Sequence, residues 1–129
     1  MVVSFYAVLG AAAAAFVVGG LWYSPALFGK AYLTLRGLDP TAADAMSMTE
    51  VAGELARCVL LAWVMAQLLA RGGESGVLTA LTFGGWMWVA IYTALAGSVL
   101  HEGVPWRLYA IHAGDGLAKM LVMATILGW

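Results

Sequence analysis

Tyr109-Ala110-Ile111-His112-Ala113-Gly114-Asp115-Gly116-Leu117-Ala118-Lys119-Met120-Leu121-Val122-Met123-Ala124-Thr125-Ile126-Leu127 is the stretch that decides the fold. It is long enough to cross a bilayer, yet it carries His112, Asp115 and Lys119. A helix turns by about 100° per residue, so these three side chains fall within an arc of roughly 60°, with Gly116 beside them. Ionisable groups inside a span are costly and face protein or a water-filled cavity. The run therefore predicts a transmembrane helix with one polar face. The remaining chain supplies what that face packs against.

Composition points the same way. The chain has 129 residues, of which 64% are hydrophobic and 10% charged. Soluble domains are about 45–50% apolar and about 25% charged, and a fold this small buries too little surface to hide the excess. Lipid is the expected solvent. A formal net charge of −1 gives no reason to expect nucleic acid or an acidic partner. Cys58 is the single cysteine, which excludes an intrachain disulfide. The small residues Ala11 to Ala15 imitate a signal-peptide cleavage region, but no Lys or Arg precedes Lys30. The first stretch is read as a retained span.

Working outward, four spans are expected at about 2–23, 51–70, 77–100 and 108–127. In the first, Ala7, Ala11, Ala15 and Gly19 recur every fourth residue and form a ridge for close helix approach, within the bundle or between protomers. Trp22 and Tyr23 suit the headgroup level. Residues 25–36 read as a short interfacial amphipathic helix starting at Pro25. Leu27, Phe28, Ala31 and Leu35 lie on one side of it, Lys30 and Thr34 on the other. Gly37 is a C-cap and Asp39-Pro40 a new helix start. Ser47 and Glu50 have capping-box spacing ahead of span two. In span three Thr79, Thr82, Trp86, Thr93 and Gly97 form one stripe, assigned to the interior, with Trp88 and Tyr92 directed to lipid or a partner. Trp63, Trp86 and Trp88 are expected to pack between helices.

Four spans place both termini on one side. Lys30, Arg36 and Arg107 lie on the other, against Arg71 alone, so the positive-inside rule makes the termini non-cytoplasmic. Spans two and four then enter from the same side, each with its charges in the entering half. His112, Asp115 and Lys119 lie roughly 5, 9 and 15 Å beyond Tyr109, with Glu54 and Arg57 at similar depths in span two and Glu50 nearer the surface. Asp115–Lys119 and Glu54–Arg57 have pairing spacings, leaving Glu50 with His112 as a neighbour. Trp22, Tyr23, His101 and Glu102 form the rim.

Three function classes fit this cluster. It is a hydrated site that binds or passes a small ion or polar solute, with Asp115 and Glu54 as exchangeable acids and His112 as a relay. It is an ion-pair network that fixes helix packing in a structural or accessory subunit. Or it belongs to a lipid-active enzyme with His112 as base, although Ser98 and Cys58 stand alone as nucleophiles. Without an HxxxH motif or a cysteine pair, no metal or other cofactor is expected. Cys58 reads as a small buried hydrophobe. The alanine ridge and the aromatics of span three suggest a homo-oligomer or a membrane-protein partner.

The run Gly20-Leu21-Trp22-Tyr23-Ser24-Pro25-Ala26-Leu27-Phe28-Gly29-Lys30-Ala31-Tyr32, with His112-Ala113-Gly114-Asp115-Gly116 and the terminal Gly128-Trp129, resembles a small bacterial membrane family. That family is known only as domain of unknown function number seventeen-sixty-one. The resemblance covers essentially the whole chain. It implies an all-α, four-span membrane protein and no particular activity, and a multi-pass place in the bacterial inner membrane is the expected location.

Overall fold

The computed structural model describes residues 3–39, 47–73 and 75–129. The expected helix start at Asp39-Pro40 and the turn residue Glu74 fall partly or wholly outside them. Six helices follow in order: α1 (Phe5–Trp22), α2 (Gly29–Leu35), α3 (Met48–Gly72), α4 (Val77–Leu95), α5 (Gly97–His101) and α6 (Trp106–Gly128). Among the described residues four helical stretches are long and apolar enough to cross a membrane: α1, α3, α4 with α5, and α6. The outer surface agrees, because Phe5, Leu60, Leu78, Trp86 and Leu100 are all left exposed on it.

The ends of the helices follow from local chemistry. Ser4 Oγ accepts from Ala7 N and starts α1. Ser47 Oγ accepts from Glu50 N and starts α3. Gly37, at a φ of 75°, ends α2 with Leu38 N bonded to Leu33 O and Gly37 N to Thr34 O, the paired closure of a left-handed cap. The helix expected from Pro25 begins only at Gly29. Phe28 N bonds back to Trp22 O and Gly29 N to Ser24 O, so residues 25–28 form a tight turn. Only glycine fits at 29, because a Cβ there would run into Tyr23 O.

The spans lie in the spatial order α3, α1, α6, α4. Helix α1 packs along both α3 and α6, and α4 packs along α6. Consecutive α3 and α4 barely touch, and neither do α3 and α6. The expected ridge on α1 is used inside the chain: Ala11 and Ala15 are fully buried, and Val8, Ala12 and Gly19 are buried with them. Without a hydrophobic driving force between spans, such small faces allow the close contact that holds helices together.

Span three packs through a different face from the one assigned to it. Thr82, Trp86 and Thr93 are exposed, as is Trp63 on α3, whereas Ala80 and Gly84 are buried and Trp88 and Tyr92 turn inward onto α6. Thr82 satisfies its hydroxyl on Leu78 O of its own helix, so it needs no polar interior. Trp88 buries a donor that does need a partner, and α6 provides one.

Candidate functional site

Asp115 and Lys119 are the buried polar residues of the core, 7% and 8% exposed. Lys119 Nζ lies 2.8 Å from Glu54 Oε1 and 3.0 Å from Asp115 Oδ2. Arg57 reaches the second Glu54 oxygen at 2.8 Å from the exposed side of α3, and the Cys58 thiol is 3.8 Å from Glu54 Oε1. The expected meeting of spans two and four therefore takes place, although their backbones hardly touch. Lys119 spans the gap across α1. Its Cε and Nζ lie where a Cβ on Gly19 would be, at 2.9 and 3.0 Å. Gly19 is thus the notch through which the lysine reaches α3.

Lys119 bridges the two carboxylates and Arg57 takes the second Glu54 oxygen, so the four charges balance when all are ionised. The anomaly of the cluster is geometric: Asp115 Oδ1 is buried with no hydrogen-bond partner among the described residues. Buried acceptors are nearly always satisfied, and an orphan calls for an occupant or a proton.

Aromatic side chains pin α6 on either side of Asp115. Trp22 Nε1 donates to Ile111 O at 2.9 Å and lays its ring where a side chain on Gly114 would stand. Trp88 Nε1 donates to Ala113 O at 2.7 Å. The Tyr92 hydroxyl sits over Gly116, and the Tyr109 hydroxyl donates to Tyr92 O. The two glycines flanking Asp115 therefore admit one ring from α1 and one from α4.

His112 sits at the exposed rim. Its Nδ1 is 2.6 Å from the Tyr23 hydroxyl. Burial, with help from the negative charge of Asp115, pushes the Tyr23 phenol well above the usual tyrosine range, so it keeps its proton. A protonated phenol can donate to Nδ1 when that nitrogen carries no hydrogen. Neutral His112 then carries its hydrogen on Nε2. Tyr32 of α2 meets both rings edge-on, at 5.0 Å from Tyr23 and 5.6 Å from His112. Of the other sequence candidates, Glu50 is exposed at the start of α3, its backbone serving the Ser47 cap. His101 and Glu102 are exposed at the end of α5. None of the three bonds to the triad.

Gly19, Gly114 and Tyr32 were not singled out for this site. Gly19 reads as one more small residue of the ridge, and its notch appears only when Lys119 is laid over it. Two surface hollows, one lined by Leu69, Ala80 and Leu127 and the other by Leu121, Val122 and Thr125, lie away from the triad. Among the described residues no group of three His, Cys, Asp or Glu side chains is arranged to hold a metal ion.

A small all-helical protein with four candidate spans and an acid–lysine–acid triad between them is thereby defined. The family follows: residues 6–128 match the model of DUF1761, described as a protein of unknown function. The chain belongs to that family, as its sequence resemblance implies. No curated protein and no solved structure matches it.

Proposed function

We propose that this multi-pass protein binds a small cation, a proton included, at the Glu54–Lys119–Asp115 triad of a bacterial inner membrane. The observation that carries the reading is the orphaned Asp115 Oδ1, buried on a residue whose other carboxylate oxygen is held by Lys119. A buried charge in a span is retained when it is paired or used, and this oxygen is not paired. The tight packing around it favours a proton or a bare monovalent ion over a larger solute. Lys30, Arg36 and Arg107 at the α2 end of the bundle favour a cytoplasmic position for that end.

Infrared difference spectroscopy on protein reconstituted in vesicles tests this directly. The reading expects a carboxyl band that responds to pH or to added sodium or potassium. It should vanish in Asp115→Asn and persist in Glu50→Gln. Flux through the same vesicles then separates passage from binding. A second reading is an ion-pair network that serves packing alone. The observation favouring it is that Lys119 already bonds both carboxylates. It predicts no titrating or cation-sensitive band from Asp115, and that result would end the binding proposal.

A further inference from the structure

The corner where α2 folds back onto α6 holds a second constellation, separate from the triad. The turn at residues 22–29 brings Tyr23 and Tyr32 against His112. Arg36, one turn along α2, donates from Nη1 to the Tyr32 hydroxyl at 3.0 Å, and its guanidinium lies 5.3 Å from the centre of that ring. Arg36 is exposed and pairs with no carboxylate among the described residues. The Tyr23 hydroxyl occupies Nδ1 of the exposed His112, which leaves Nε2 as the ring nitrogen for a ligand. Leu27, Phe28 and Leu38 are exposed on the same turn and helix, at 56%, 37% and 45%.

We propose that this corner binds the phosphate group of a membrane lipid through Arg36 and His112, with acyl chains against Leu27 and Phe28. A guanidinium with free N–H groups in a planar fork matches phosphate oxygens. The imidazole, whose Nε2 donates in the tautomer that accepts from Tyr23, adds a second donor from a different element, and Tyr32 holds the two groups to one ring. A free phosphate would satisfy the same donors. The lipid is favoured because the corner lies at the end of two candidate spans and offers apolar side chains beside the donors. The site does not depend on the triad, and its test does not involve Asp115.

The purified full chain in detergent is titrated with phosphatidylglycerol, with diacylglycerol, which lacks the phosphate, and with inorganic phosphate, and adducts are counted by native mass spectrometry. Phosphatidylglycerol should be retained in preference to diacylglycerol. Arg36→Ala should weaken retention roughly tenfold, as expected for loss of charge-assisted bonds. Arg36→Lys should restore only part of it, because the fork is lost. Arg107→Ala, at another exposed arginine, which lies over Trp106, should change retention less than about twofold. Arg36-dependent binding of inorganic phosphate alone would keep the phosphate site and make its source soluble. Equal losses in Arg36→Ala and Arg107→Ala, or equal retention of the two lipids, would overturn the proposal. Arg36 is exposed, so the folded state survives its replacement.

Discussion

At Gly19 a missing methyl group permits the charge pairing across α1. Replacing Gly19 with alanine gains about 1 kcal/mol of helix propensity. It also places a Cβ within 3.0 Å of a lysine end tethered to two carboxylates. Disturbing a buried pair costs about 3–5 kcal/mol when the pair is broken outright, so the penalty exceeds the gain. Gly19→Ala should lose roughly 1–3 kcal/mol in reversible unfolding from detergent. Gly20→Ala, with nothing within 4 Å of the added carbon, should be neutral or slightly stabilising. Tyr23 gives a pH signature at the same scale. Its raised value means that the folded state holds the phenol proton more tightly than the unfolded chain does. That stability is complete below the unfolded tyrosine value of about 10 and falls as pH rises above it, by up to about 1.4 kcal/mol per unit. Unfolding midpoints followed through that alkaline window should fall in the wild type, and Tyr23→Phe should remove this component. The charged members of the triad were legible from spacing and depth because hydropathy makes a charge in a span conspicuous. Gly19 was not, because the need for a notch arises only from the path of a side chain on another helix.

At the level of the helix, α6 is positioned by rings that arrive from both sides of the motif His112-Ala113-Gly114-Asp115-Gly116. The indoles of Trp22 and Trp88 donate to carbonyls two residues apart, which lie on opposite sides of the helix. That double clamp fixes the rotation of α6 and so aims Asp115. A side chain at Gly116 would collide with the Tyr92 ring. Gly116→Ala should cost about 1–3 kcal/mol, as overpacking does. Tyr92→Ala in the same chain should return part of that loss. A double-mutant cycle with a coupling of about 0.5–3 kcal/mol is the expected result, and strict additivity would mean that the two positions do not meet. The stripe of Thr79, Thr82, Trp86, Thr93 and Gly97 does not form the inward face of α4, which carries Ala80, Gly84, Trp88 and Tyr92. A threonine that bonds its own helix tolerates lipid, whereas a tryptophan N–H seeks an acceptor. The late start of α2 has an equally local cause. Proline favours the first turn of a helix, but the bonds from Phe28 and Gly29 back to Trp22 and Ser24 close the chain into a turn first.

Over the whole molecule, the order α3, α1, α6, α4 makes the first and last spans the central pair and leaves the two sequence-adjacent spans as flanks. Hydropathy located the spans but carried no information on this order, because a short turn between α3 and α4 would ordinarily imply neighbours. The small faces decide it instead. Ala11, Ala12 and Ala15 on α1 and Ala80 with Gly84 on α4 are buried, and α1 and α4 pack on α6 from its two sides. It follows that the ridge and the inward aromatics are already occupied within the chain, so a second copy would have to meet other surfaces. The arrangement is tested by a disulfide. A Cβ on Gly84 would stand 3.4 Å from the Cβ of Ala124, close to the separation of about 3.5–4.5 Å that a disulfide spans. In a Cys58→Ala background, Gly84→Cys with Ala124→Cys should crosslink under mild oxidation. The bond would be read as intact-mass loss of two hydrogens and faster migration in a non-reducing gel. Gly84→Cys with Leu60→Cys should not crosslink, because α3 and α4 barely touch and Leu60 faces outward. Bonding of the second pair and not the first would reverse the order of the spans. It would also remove α4 from the side of α6 that it clamps, and with it the placement of Asp115.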